Sequence, residues 1–126
     1  MRTGDILTLK APKVTRTALA LYAGASGDHN PVHIDIDACR AVGIEDVFAH
    51  GMLSMAYLGR LLTDWVPQER IRSFSVRFSA ITPVNATPVC AGTVTRTEGG
   101  LVHLDLTVSL PDGTVTLRGS ATVTAP

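Results

Sequence analysis

The chain has 126 residues, a formal net charge of zero and an apolar fraction of 45%. A zero balance argues against a nucleic-acid or anionic-membrane surface as the main partner, and no apolar run reaches the about 18 residues needed to span a bilayer. The length suits one domain over residues 1–126, while a charged fraction of 17%, below the roughly 25% usual for soluble domains, predicts a surface partly buried against another subunit.

Residues 5–10 read as a first strand, cut off by Pro12. The opening Met1-Arg2-Thr3-Gly4-Asp5 has no apolar secretory segment, so the expected location is cytoplasmic. Thr15 is placed to cap a helix running through Leu19, Leu21, Tyr22 and Ala25, with Gly27 just past its end. A polar loop follows, Ser26 to His33, stiffened by Pro31. Asp35 and Asp37 are predicted to cap a short helix over 38–42, closed by Gly43.

After a loop to Phe48, residues 51–65 predict a central helix ended by Pro67. Its apolar residues Met52, Leu53, Met55, Ala56, Tyr57, Leu58, Leu61, Leu62 and Trp65 point in nearly every direction around the axis. A helix apolar all round is expected to be buried all round. The remainder reads as strand. Phe74, Val76 and Phe78 alternate with serines and Arg77, and Val89 to Thr97 is rich in Val and Thr. Val102 to Leu110 and Val115 to Val123 each keep one apolar face, separated by a Pro111-Asp112-Gly113 turn. The expected architecture is therefore α+β: an antiparallel sheet wrapped around one buried helix, the hotdog arrangement. Cys39 and Cys90 lack a C-x-x-C spacing and are expected to be buried free thiols. The four histidines show no H-x-x-x-H or H-E-x-x-H spacing, so no metal is expected.

Chemistry concentrates in two stretches. Asp28 and His33 stand five positions apart, a spacing that diverges on a helix and lies on opposite faces of a strand. Between them Pro31 fixes its own φ and pushes Asn30 towards extended geometry, so a stiff loop can fold a carboxylate and an imidazole towards one point. The same two residues could also be backbone caps at a helix exit. The second stretch is Ala49-His50-Gly51-Met52-Leu53, which opens the central helix. Free N–H groups at a helix start, with the positive end of the dipole behind them, suit a developing oxyanion, and Gly51 lets a ligand come close.

Together, Tyr22 to His33, with its Gly27-Asp28-x-Asn30-Pro31-x-His33 core, and Ala49-His50-Gly51-Met52 resemble the MaoC-like hydratases, also called the hydratase 2 group, over nearly the whole chain. One departure is Cys39, where that family more often has Ala or Ser. The resemblance implies a hotdog domain that pairs with a second, identical or related, chain by joining sheets edge to edge. It also implies an (R)-specific enoyl-CoA hydratase, adding water to a trans-2-enoyl-CoA, with coenzyme A entering as substrate rather than cofactor. Asp28 and His33 are then the proton-transfer pair and Gly51 the oxyanion donor. Asn30, Ser26 and His50 would support them, and Met52 and Leu53 would line the acyl slot. Lys13, Arg72, Arg77 and Arg118 are unranked candidates for the phosphates. The alternatives are a dehydratase subunit for acyl-carrier-protein substrates, a hotdog thioesterase, or a non-catalytic acyl-thioester binder. The thioesterase is disfavoured because the central helix carries no carboxylate before Asp64.

Overall fold

The computed structural model describes residues Met1 to Pro126. Five strands form one antiparallel sheet in the order β1-β3-β4-β5-β2, with β1 Ile6–Lys10, β2 Ile71–Phe78, β3 Val89–Glu98, β4 Leu101–Ser109 and β5 Val115–Thr124. The turns follow from the sequence. Gly99 and Gly100 adopt φ of 58° and 78° between β3 and β4, the left-handed pair that a two-residue hairpin needs. After β4, Asp112 accepts a hydrogen bond from the Thr114 N–H at 2.9 Å and so closes the next turn.

Alternation decides which side of the sheet is dry. Val102, Leu104, Leu106 and Val108 of β4 are at most 1% exposed, and Leu117, Ala121 and Val123 continue the same layer on β5. The central helix, α3 (Gly51–Thr63), lays Leu58, Leu61 and Leu62 onto this layer. Each such leucine contributes on the order of 1.5–3 kcal/mol on burial. Gly92 of β3 lets the helix sit close, because a Cβ there would stand 3.1 Å from Leu106 and 3.5 Å from Leu61.

The helix is not buried all round. It ends at Thr63, with Trp65 in the following turn rather than in the helix. Met52 is 55% exposed, and Ala56 faces solvent with it. The sheet lies against one side of α3 only, so in the single chain its apolar content exceeds what its own sheet covers.

The segment between β1 and α3 forms a second, smaller core. Helix α1 (Arg16–Ser26) starts where the Thr15 hydroxyl accepts from the Ala18 N–H at 3.0 Å. It ends at Gly27, φ 76°, whose N–H reaches the Ala23 carbonyl at 3.0 Å. Its buried residues are Leu19 and Ala23, whereas Leu21 is 70% exposed rather than part of the inward stripe. Helix α2 (Ile36–Ala41) begins two residues earlier than expected: Asp35 alone caps it, and Asp37 lies inside its first turn. Val14, Leu19, Cys39, Val47 and Ala49 pack together, with Val32 and Leu53 against them. Arg16 clamps Asp46 with two hydrogen bonds of 2.9 and 2.6 Å. This cluster pins the loop carrying Asp28 and His33 beside the start of α3.

Candidate active site

The 27–33 loop is wound on itself by short polar side chains. The Ser26 hydroxyl accepts from the Asp28 N–H at 3.1 Å. One Asp28 carboxylate oxygen accepts from the Asn30 N–H at 3.2 Å, and the Asn30 side chain accepts from the Val32 N–H at 3.2 Å. Asn30 thereby caps a single 3₁₀ turn, Pro31–His33. These are the turn preferences of Ser, Asp and Asn acting in succession. They resolve the clash between five-residue spacing and convergence: the chain bends back within the loop.

The result is a close pair. Asp28 Oδ2 stands 3.9 Å from His33 Nε2, with the Asp28 side chain about half exposed (51%) and that of His33 9% exposed. On the other side of its ring, His33 Nδ1 lies 2.7 Å from the Phe48 carbonyl oxygen. A carbonyl only accepts, so Nδ1 carries a hydrogen; in the neutral ring the lone pair is then on Nε2, the nitrogen 3.9 Å from Asp28 Oδ2. Phe48 is itself held on both sides. Its N–H bonds the Val32 carbonyl at 3.3 Å, and the next residue, Ala49, bonds the Thr82 carbonyl at 2.9 Å. Sequence reading missed this orienting group, because it is a main-chain carbonyl and leaves no residue-type signal.

His50 lies at the junction of loop and helix. It is 1% exposed, its Nε2 donates to the Asp28 carbonyl at 3.0 Å, and its ring stacks on His33 at 3.9 Å with 25° between the planes. Tyr22 meets its edge at 4.7 Å. Burial pushes the His50 imidazole below the usual histidine range. The bond to the Asp28 carbonyl opposes that shift in part, and the neighbouring His33 adds to it.

Gly51 opens α3, and the preceding His50 provides no side-chain cap. The first two helical N–H groups, of Gly51 and Met52, therefore have no intrahelical partner. A Cβ on Gly51 would lie 2.7 Å from two carbon atoms of the Phe78 ring. Glycine at this position thus has a second reason besides ligand approach: Phe78 from the end of β2 rests on its Cα.

A cleft of about 460 Å³ opens here, lined by Asp28, Gly51, Met52, Phe78, Ile81 and Leu117 among others. That is within the range of small-molecule sites. Its rim is apolar and open, with Met52 and Phe78 each 55% and Ile81 50% exposed. Of the two residues expected to line an acyl slot, Met52 does so. Leu53 does not: it turns into the smaller core, because successive helical residues point about 100° apart. Phe78 and Ile81 take its place, and they lie far from α3 in sequence.

Asp28, His33 and His50 each bring a possible metal-ligating atom within 4.8 Å of the others. One feature disfavours them as a resident metal site: the two imidazoles are stacked face on face, 3.9 Å apart with 25° between the planes, rather than converging on a common point. Among the four cationic candidates, Arg72 donates to the Glu69 carbonyl at 3.1 Å, whereas Arg77 and Arg118 face each other across β2 and β5.

Comparison with known proteins brings in a family. Residues 3–108 match the MaoC-like domain. The chain is 30% identical over 122 residues to the (R)-specific enoyl-CoA hydratase of Rhodospirillum rubrum, covering 92% of this chain and 83% of that protein. It is 34% identical over 110 residues to 3-hydroxyacyl-thioester dehydratase X of Mycobacterium tuberculosis, covering 85% of this chain but spanning only 38% of that protein's length. Among solved structures, the (R)-hydratase of A. caviae superposes with a TM-score of 0.90 at 22% identity, covering 100% of this chain and 98% of that one, a likeness of fold.

Proposed function

The chain belongs to the MaoC-like family of hydro-lyases, and from that premise we propose that it adds water reversibly to a trans-2-enoyl-CoA, giving the (R)-3-hydroxyacyl-CoA. The observation that carries this reading is the 3.9 Å approach of Asp28 Oδ2 to the bare Nε2 of His33, beside the uncapped start of α3. The gap is too long for a direct hydrogen bond and short enough for one water to touch both atoms at about 2.8 Å.

Both atoms offer lone pairs to that water. As its oxygen bonds C3 of the enoyl thioester, the pair takes its proton, and electron density moves through C2 to the thioester oxygen. The free N–H at Gly51 faces that developing charge. The enolate then collapses, and C2 receives a proton from the pair. One water has been added across the double bond, with no net change in the pair's protonation. Run backwards, the same steps dehydrate a 3-hydroxyacyl thioester. The apolar rim of Met52, Phe78 and Ile81 suits an acyl chain; of the polar pair, Asp28 is part of the cleft lining and His33 is not.

The assembly that goes with this reading is a dimer, homomeric or with a related hotdog chain. The uncovered side of α3 and the open edge strands β1 and β2 leave apolar surface for it. A specific interface buries more than roughly 1,000 Å². A strictly monomeric mass at micromolar concentration with full activity would rule it out.

Mixing the protein with crotonyl-CoA tests the function. Loss of the enoyl-thioester absorbance without release of free thiol supports hydration. Release of thiol would instead mean a thioesterase. If crotonyl-CoA is bound but unchanged, while crotonyl carried on an acyl-carrier protein is hydrated, the coenzyme A assignment fails. No turnover of either substrate sinks the reading altogether.

A further inference from the structure

We propose that His50 is a positioning residue: one imidazole that ties the proton-transfer pair to the oxyanion end of α3. This role deepens the hydratase reading and rests on it. His50 occupies the cap position of α3, yet its side chain makes no capping bond. Cap positions favour Ser, Thr, Asp and Asn because those side chains reach the first helical N–H groups. The imidazole goes elsewhere. Its Nε2–H holds the main-chain carbonyl of Asp28, 22 positions earlier, at 3.0 Å, and its face lies on the His33 ring at 3.9 Å. Both members of the pair are thus fixed by the residue adjacent to Gly51. A shift of α3 relative to the loop has to break the carbonyl bond or slide the stack.

The other ring nitrogen gives independent support. His50 Nδ1 is the one buried side-chain nitrogen or oxygen without a hydrogen-bond partner. Leaving a buried acceptor unpaired is costly, and an apolar side chain of similar shape would avoid that cost if only packing were needed. The histidine is explained by what its other nitrogen and its face do. A neutral ring also matters to the chemistry. When His33 holds the proton during turnover, His50 presents it with a π face instead of a second cation. Burial and the stacked His33 favour the uncharged ring, against the Asp28 carbonyl and the nearby Asp28 carboxylate, which favour the charged one; Tyr22 meets the ring edge.

Two variants separate the contacts. His50→Phe keeps a stacking ring and loses the donor, whereas His50→Gln keeps a donor and loses the ring. Each is expected to lower kcat with KM held within about twofold, Phe more than Gln, and on the order of 10²-fold for a misplacement approaching 1 Å. If His50 acts through the pair, the same substitution on a His33→Gln background costs almost nothing further. An equal loss in both backgrounds, or an unchanged kcat, overturns the proposal. If His50→Phe fails to fold, His50→Gln carries the test alone.

Amide hydrogen exchange gives a readout that needs no turnover. In His50→Gln, the Val32 and His33 amides, which bond within the loop, should exchange faster while those of β4 stay protected. Unchanged loop protection also overturns the proposal. If the wild-type protein hydrates no enoyl thioester, the hydratase reading fails, and the exchange measurement still decides whether His50 holds the loop.

Discussion

The Gly51 N–H can be tested without disturbing its surroundings only if Phe78 is dealt with first. Gly51→Pro deletes the N–H, and the local backbone accepts it. Gly51 is the first residue of α3, where Pro is tolerated, and His50 has φ −57° and ψ 130°, the extended geometry required before Pro. Any Cβ at 51, however, stands 2.7 Å from the Phe78 ring and needs at least 3.4 Å, so the ring must retreat by about 0.7 Å. That ring lines the cleft, so a single Gly51 variant mixes a lost donor with a displaced wall.

The informative comparison is Gly51→Pro with Gly51→Ala, both on a Phe78→Ala background. The two share the added Cβ and differ in that the Pro ring puts a methylene where the N–H was. The Pro variant is expected to turn over crotonyl-CoA about 10²–10³-fold more slowly than the Ala variant, about 2.7–4 kcal/mol of transition-state stabilisation. The loss should appear in kcat, followed through the enoyl-thioester absorbance under saturating substrate. Equal kcat for two folded variants would remove the Gly51 N–H from the mechanism. On the wild-type background, Gly51→Ala should act mainly on KM, through the displaced Phe78.

Three further outcomes are expected. Asp28→Asn and His33→Gln should each lower kcat by about 10²–10⁴-fold, and the double variant little more, since one water needs both partners; multiplicative losses would mean separate roles. Burial pushes the Cys90 thiol up to about 11 and raises Cys39 too, with Asp46 and Asp35 adding to the latter. Thiol reagents at pH 8 should therefore label neither cysteine in the native protein and both in denaturant; rapid native labelling contradicts this burial. Arg16, helped by the Val47 N–H, holds the Asp46 carboxyl below its ordinary 3.8. A depressed carboxyl stabilises the fold above its unfolded value and loses that contribution as pH falls through the folded value. The difference in Tm between wild type and Arg16→Ala should be steady near neutrality and shrink below about pH 4; a difference that grows in acid would show the sign to be wrong.

Most of the fold was legible from local pattern. Alternation over Val102–Val108 and Leu117–Val123 determined strands with one dry face, because side-chain direction in a strand depends on sequence parity. At the start of β5 the expected alternation fails, with Thr116 buried beside Leu117 next to a register shift against β4. Pro31, Asn30 and Gly27 determined a bent loop by their own φ preferences, and that loop brings Asp28 and His33 together. Local rules could not decide what lies on the other side of each residue. The run of apolar positions on α3 predicted burial all round, but the sheet covers one side, and Met52 stays open to the cleft. Which neighbour meets which side depends on packing between distant segments. The same limit hid Phe78 against Gly51, the Phe48 carbonyl behind His33, and the stack of His50 on His33. Those contacts join residues 27, 15 and 17 positions apart. Sequence chemistry singled out Asp28 and His33 as candidates; only the tertiary structure decided which nitrogen of His33 is held, because the main-chain carbonyl that binds it lies 15 positions away.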